Sequence, residues 1–256
     1  MKKILLLLTV TLFMLSCSDD NPTENDNTNK QGQVEMKVYP NNENKISFHA
    51  TVTKVTIDWG DGSIEKFTPH GLHGEFSHEY RTQNLYTIKV VADELVYYAI
   101  GTGTYNELRF GDCPYLQGIG DCSGKGLKVL SIKSTQTMSY LNCDNNLLTS
   151  LDLGECAFLS RINCKSNQLT SLDVSKCPNL SQLECDYNQL TSLIVNNPEL
   201  SFLTCRSNQL TATALNNLFE ALPAGSPSSR FIYFFENPGA AGCDRNIFMN
   251  KGWWTQ

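Results

Sequence analysis

Ten cysteines and a short histidine-rich stretch are the residues of this chain that could do chemistry. Nine of the cysteines follow Cys17: Cys113, Cys122, Cys143, Cys156, Cys164, Cys177, Cys185, Cys205 and Cys243. Thiolates hold zinc, and thiol pairs close disulfides. No CxxC or Cys–His spacing supports a tetrahedral metal site. Cys143, Cys164 and Cys185 instead recur every 21 residues, and Cys205 follows after 20. In-register cysteines on adjacent parallel strands would stand about 4.8 Å apart, against the ~3.8 Å between Cβ atoms that a bridge prefers. Buried thiols acting as small hydrophobes are therefore expected, with Cys156 and Cys177 in a second column. Cys122 is expected on the strand face rather than in the core.

His70, His73 and His78 with Glu75 suggest a metal cluster, but no repeated geometry supports one. Asp58 and Asp61 offer oxygens to a hard cation such as calcium, or else close a hairpin turn with their own hydrogen bonds; the second reading is adopted. No metal or cofactor is expected. The chain has no GxxxxGK[ST] phosphate loop, HExxH helix or GxSxG elbow.

The element that must position these cysteines is a phrase written four times between Met138 and Leu210: MSYLNCDNNLLTSLDLGEC, LSRINCKSNQLTSLDVSKC, LSQLECDYNQLTSLIVNN and LSFLTCRSNQLT. So short a period is one strand plus a return that cannot bury its apolar side alone, so the units must stack. Backwards from Leu159 the column steps through Met138, Leu116 and Leu95, and Leu172, Leu151, Leu130 and Leu108 form a second apolar ridge. Gly103, Gly124, Asn146, Asn167, Asn188 and Asn208 mark the turn after the strand. The predicted fold is mostly β with a small α component.

These units resemble leucine-rich repeats, LxxLxLxxNxL, with cysteine at the third apolar position. The resemblance covers residues 95–256 and implies a solenoid of about six or seven coils. It implies a parallel sheet on the concave side and an asparagine ladder along the turn. From about residue 211 a C-terminal cap is expected: a helix over Ala212 to Leu222, a strand over Arg230 to Glu236, and the closing Lys251-Gly252-Trp253-Trp254.

In this register the residues between the repeated letters face outward on the concave sheet. One column reads Tyr97, Gly118, Tyr140, Arg161, Gln182, Phe202, Phe231. A middle column contains Asn142, Asn163, Glu184, Thr204 and Tyr233. A third reads Asp144, Lys165, Asp186, Arg206, with Phe235 at its end. The alternating charges of the third are expected to favour stacking. Aromatics and arginine on a rigid face are the usual anchors of a binding site. The expected ligand face is therefore Tyr97, Tyr140, Asn142, Arg161, Asn163, Lys165, Glu184, Asp186, Tyr187, Phe202, Arg206, Phe231 and Tyr233.

The chain before the repeats reads in three parts. Residues 1–16 have two lysines and an apolar run too short for a comfortable membrane span, the pattern of a secretory signal. Met14-Leu15-Ser16-Cys17 resembles a bacterial lipobox, which implies a lipidated Cys17, and Ser18-Asp19-Asp20 resembles the export signal of Bacteroidetes-type surface lipoproteins. Together they imply an outer-membrane lipoprotein exposed at the cell surface, held to the membrane through Cys17 alone. Residues 17–33 then form a tether too polar to fold. Residues 34–94 alternate with period two, in segments Val34 to Val38, Ile46 to Phe48, Val52 to Ile57 and Tyr86 to Val90. Asp58-Trp59-Gly60-Asp61-Gly62 with Ser77-His78-Glu79-Tyr80 resembles the signature of PKD-type β-sandwiches, although Asn84-Leu85 stands where that family has a glycine. A shortened PKD-like sandwich is implied, with His78 part of its motif.

The formal charge of -6 disfavours nucleic acid, which needs clustered Lys and Arg. Together these readings predict a monomeric, non-enzymatic surface lipoprotein that binds a protein partner, in adhesion or in a host or envelope interaction. A glycan ligand within a polysaccharide-uptake system is the alternative. A third reading, a surface hydrolase using Asp144, Glu184 and Asp186, needs one carboxylate held in a pocket, whereas a regular open sheet offers none.

Overall fold

The computed structural model describes residues 31–68, 72–113, 116–135, 137–225 and 230–255. The expected signal, the lipidation site Cys17, most of the tether and His70 lie outside these residues. The first eight strands are β1 (Gln31–Tyr39), β2 (Lys45–Val52), β3 (Lys54–Asp58), β4 (Ile64–Phe67), β5 (Leu72–Glu79), β6 (Tyr86–Asp93), β7 (Tyr97–Ile100) and β8 (Thr104–Asp112). Strands then alternate between two faces. The front takes β9 (Gly118–Ile119), β11 (Tyr140–Asn142), β13 (Arg161–Asn163), β15 (Gln182–Glu184) and β17 (Phe202–Thr204). The back takes β10 (Val129–Thr135), β12 (Ser150–Cys156), β14 (Ser171–Asp173) and β16 (Ser192–Ile194). The chain closes with α1 (Ala212–Ala221), β18 (Arg230–Tyr233), α2 (Asn246–Met249) and β19 (Trp253–Trp254).

The result is a mostly β protein with a parallel-stacked β-solenoid of about seven turns. Alternation dictates the N-terminal layers. Val34, Met36 and Val38 of β1 and Ile46, Phe48, Ala50 and Val52 of β2 point inward and are fully buried. The two sheets meet where Tyr98 packs edge-on against Phe110, centroids 5.4 Å apart. Their orders are β12-β10-β8-β1-β6-β3-β4 and β5-β2-β7-β9. The segment expected as one strand over Val52 to Ile57 is two, because the chain crosses between the sheets at Thr53.

Two strands belong to both halves of the molecule. β7 is antiparallel to β2 on one side (Phe48↔Ile100) and parallel to β9 on the other (Tyr97↔Gly118). β8 is antiparallel to β1 (Met36↔Leu108) and parallel to β10 (Leu130↔Leu108). The boundary expected between residues 94 and 95 therefore falls inside two hydrogen-bonded layers. β1 also starts earlier than expected. Gln31, Gly32 and Gln33, assigned to the tether by their polarity, pair with Asp93, Ala92 and Val91. Backbone pairing does not depend on side-chain polarity.

In the solenoid each repeated letter has a buried task. The asparagine side chain after each front strand satisfies the turn: Asn188 Oδ1 accepts from Leu169 N–H at 3.0 Å, and its Nδ2 donates to the carbonyls of Cys164, Cys185 and Asp186 at 3.0–3.3 Å. Asn146, Asn167, Asn208 and Asn237 do the same. The residue before each of these asparagines is left-handed: Asn145, Ser166, Tyr187, Ser207 and Glu236 have φ between 51° and 63°.

Gly124 takes that same left-handed place, with φ 63°, rather than the asparagine place expected of it. Cys122 likewise is buried in the cysteine column and not on the strand face. One cause explains both. Tyr97 pairs with Gly118, but Cys122 N–H already bonds Asn142 C=O, as Cys143 N–H bonds Asn163 C=O. The second coil therefore carries one extra residue at Gly120, where an added Cβ would lie 2.7 Å from both Ala99 Cβ and Tyr97 Oη. A one-residue bulge of this kind shifts the register of everything after it.

The cysteine column thus runs Cys122, Cys143, Cys164, Cys185, Cys205, all fully buried free thiols. Burial pushes the Cys122 and Cys164 thiols up to about 12 and raises Cys143, Cys185 and Cys205 as well. Cys113, Cys156 and Cys177 are also buried, and Cys243 is half-buried. At the C-terminal end Thr211 caps α1, accepting from Ala214 N–H, and Leu215, Leu218 and Phe219 of this helix are buried. β18 and β19 continue the front sheet to the order β11-β13-β15-β17-β18-β19. The short α2 was not expected: only Phe248 of its four residues is buried, so no apolar period marks it.

Two outcomes follow for stability and reactivity. Asn188→Ala strands one buried N–H and withdraws a donor from three carbonyls, and is expected to cost about 2–4 kcal/mol in urea unfolding. Asn188→Asp, isosteric but with no donor, should cost at least as much. With Cys17→Ser as background, a thiol reagent should label Cys243 in the native protein and the other eight thiols only at the rate of unfolding.

Candidate ligand-binding face

The front sheet presents outward residues in register. Ladder pairs place Tyr97 beside Gly118 and run Tyr140, Arg161, Gln182, Phe202, Phe231 and Trp254 across consecutive strands. The second row is Asn142, Asn163, Glu184, Thr204 and Tyr233. The segment after β9 is joined to β11 by Cys122 N–H to Asn142 C=O at 3.3 Å and by Asn142 Nδ2 to Asp121 Oδ1 at 3.0 Å. Strand alternation leaves Leu141, Ile162, Leu183, Leu203 and Ile232 to the core between these rows.

Tyr97 reclines across the glycine strand. A Cβ on Gly118 would lie 3.4 Å from its ring, and one on Gly120 would meet its hydroxyl. Tyr140 is 44% exposed and Trp254 53%. Phe202, Phe231 and Tyr233 are half-buried, with Phe202 and Tyr233 centroids 6.0 Å apart, and Thr204, on the strand of Phe202 and in register with Tyr233, is buried.

Two charge pairs lie on this face. Lys165 pairs with Glu184. Asp186 accepts from Arg206 N–H at 2.8 Å and from its guanidinium at 3.4 Å. The Asp186 carboxylate holds the Arg206 guanidinium above its ordinary value. The Arg161 guanidinium stands 5.4 Å from the centre of the Tyr140 ring, and partial burial together with Glu184, Asp121 and Asp144 raises that phenol. Asp121 is held below the usual carboxylate range by hydrogen bonds from Ser123 and Asn142.

Of the expected ligand residues, Tyr140, Arg161, Phe202 and Phe231 share the first row, and Asn142, Asn163, Glu184 and Tyr233 the second. Lys165 and Arg206 flank the rows. Tyr97 stands on β7, across β9 from the rest. Two expected residues are placed otherwise. Asp186 is fully buried, because Arg206 folds over it, and so does not face a ligand. Tyr187 is exposed but sits in the left-handed turn, off the strand. Trp254 was missed. The Trp253-Trp254 pair was read only as cap, and just the register Phe231↔Trp254 adds it to the row.

The other chemistry candidates resolve differently. Asp58 Oδ1 accepts from Gly60 N–H at 2.9 Å, and Asp61 from Ser63 N–H at 3.0 Å, so both carboxylates serve the hairpin itself. Asp61 Oδ2 also accepts from His78 Nε2 at 2.8 Å, while the His78 ring stacks on Trp59 at 5.0 Å. His73 stacks on His49, centroids 5.6 Å apart, and burial and the neighbouring His49 lower its pKa. Among the described residues no three His, Cys, Asp or Glu side chains are grouped to hold a metal.

Burial alone would raise Asp61, but the Ser63 and His78 hydrogen bonds outweigh it and lower its pKa to about 2. A carboxylate depressed on folding contributes stability that is full above its unfolded pKa and lost as pH falls through the folded one. The stability difference between the wild type and Asp61→Asn, followed by urea midpoint, should therefore hold above about pH 4 and shrink towards about pH 2.

Comparison with protein-family models, with curated proteins and with solved structures finds no match to this chain.

Proposed function

We propose that this chain is a lipid-anchored cell-surface binding protein whose ligand lies on the front sheet of a leucine-rich-repeat solenoid. In this reading the N-terminal layers are a PKD-like spacer that also shields one end of the stack. The observation that carries the proposal is the run Phe202, Phe231 and Trp254 on three consecutive strands, with Tyr140 and Arg161 further along the same row. Aromatic side chains lose little entropy on binding and supply large contact area, and repeat proteins use such extended faces for binding. Nothing in the stacking requires aromatics there, since the Leu, Cys and Asn positions carry the core. The lipobox-like Met14-Leu15-Ser16-Cys17 supports the anchor.

Tyr140, Phe202 and Trp254 replaced together by alanine should leave the far-ultraviolet spectrum unchanged. The same replacement should abolish binding on a host-protein panel and a glycan array to which the parent binds. Binding retained in full would sink the assignment of this face. Cys17→Ser should move the protein from the membrane fraction to the soluble one.

A further inference from the structure

We infer that the occupant of the front face is an uncharged glycan chain lying across the strands, along the row from Tyr140 to Trp254. This rests on the front sheet being the ligand surface and names the ligand's chemistry. The first argument is shape. From β11 to β18 the front strands are three or four residues long, and β19 is two. At ~3.3 Å per residue and ~4.8 Å between strands, the face is a ribbon about 10 Å wide and about 25–30 Å long. The rows alone offer a projected area of roughly 300 Å², long and narrow rather than broad. A single extended polymer fits such a ribbon.

The second argument is charge. Along these rows Lys165 is neutralised by Glu184, Arg206 by Asp186, and Arg161 stands against the Tyr140 ring. Asp121 is engaged by Asn142, and Asp144 by Asn145. What the ribbon presents is the aromatic rings of Tyr140, Phe202, Phe231 and Trp254 together with the uncharged amides of Asn163 and Gln182. Rings complement the C–H faces of sugars, and amides donate to and accept from hydroxyl groups. A charged polymer would have to compete with the ion pairs already made at Lys165 and Arg206. Strand register holds these outward residues at a constant step of about 4.8 Å, along which an extended chain can lie.

The test is affinity electrophoresis of the mature chain, with Cys17→Ser in place of the lipid. The gels would contain a β-glucan, a xylan, a galactomannan, starch or, as the charged comparison, polygalacturonate. The expected result is retardation by at least one of the four neutral polysaccharides. Its apparent affinity should change less than about twofold between 0.05 and 0.5 M NaCl, because no exposed charge pair forms. Tyr140→Ala with Trp254→Ala should weaken it at least tenfold, a loss of about 1.4 kcal/mol or more. Gln182→Ala, at an exposed position that burdens no core, should also weaken it by removing an amide that faces the sugar hydroxyls.

Retardation by none of the neutral polysaccharides, or by polygalacturonate alone, overturns the inference. If a protein array then shows a partner lost in the same variants, the glycan inference falls and the face remains the ligand surface. Binding of either kind that the variants leave unchanged overturns both.

Discussion

The asparagine side chain that closes each front turn is the interaction on which the rest of the solenoid depends. A coil of this length leaves carbonyls pointing into its own interior at every turn, and a buried carbonyl without a donor is costly. One side-chain amide reaches carbonyls in its own coil and the coil before, and accepts from an N–H of the latter; Asn188 spans Leu169, Cys164, Cys185 and Asp186 in this way. Each coil is thereby locked to its neighbour at a fixed height and phase. The apolar columns and the outward rows inherit that phase. A left-handed residue before each amide, tolerated at non-glycine cost in Tyr187 and Ser166, is the geometric condition for the amide to point inward.

The same locking extends to the N-terminal layers, because β7 and β8 are members of both. Their outer edges accept the antiparallel β2 and β1, and their inner edges template the first parallel strands β9 and β10. The end of the stack is thus filled by strands rather than by a separate cap. The far end is closed differently: α1 lies over the last back strand while β18 and β19 extend the front. The front face therefore outlasts the back by three strands, and it is there that the aromatic row becomes densest.

What could be read from the sequence was whatever repeats. Leu, Cys and Asn recur because stacking demands them, so the solenoid, the buried thiols and the second leucine ridge were all visible beforehand. Two of the misses share a local origin. The extra residue at Gly120 shifts Cys122 and Gly124 by one place, and no repeated letter in that degenerate coil flags it. The shared role of Tyr97-Tyr98-Ala99-Ile100 was hidden because the same alternation serves parallel and antiparallel neighbours alike. Asp186 stands in the same column as Asp144 and Lys165, and only the side chain of Arg206 above it distinguishes a buried carboxylate from an exposed one. Trp254 joined the face through the register of a two-residue strand, too short for any periodicity to announce.

The position of β1 has a mechanical side. The chain enters the described fold at Gln31, and β1 is hydrogen-bonded on both flanks, to β6 and to β8. The stack extends across the strands in the order β1-β8-β10-β12, so β1 leaves its place only when the ladders on both of its sides break together. A strand at a sheet edge pulled across its length would instead open one bond at a time. The point at which the chain enters the described fold is therefore held by two ladders rather than one.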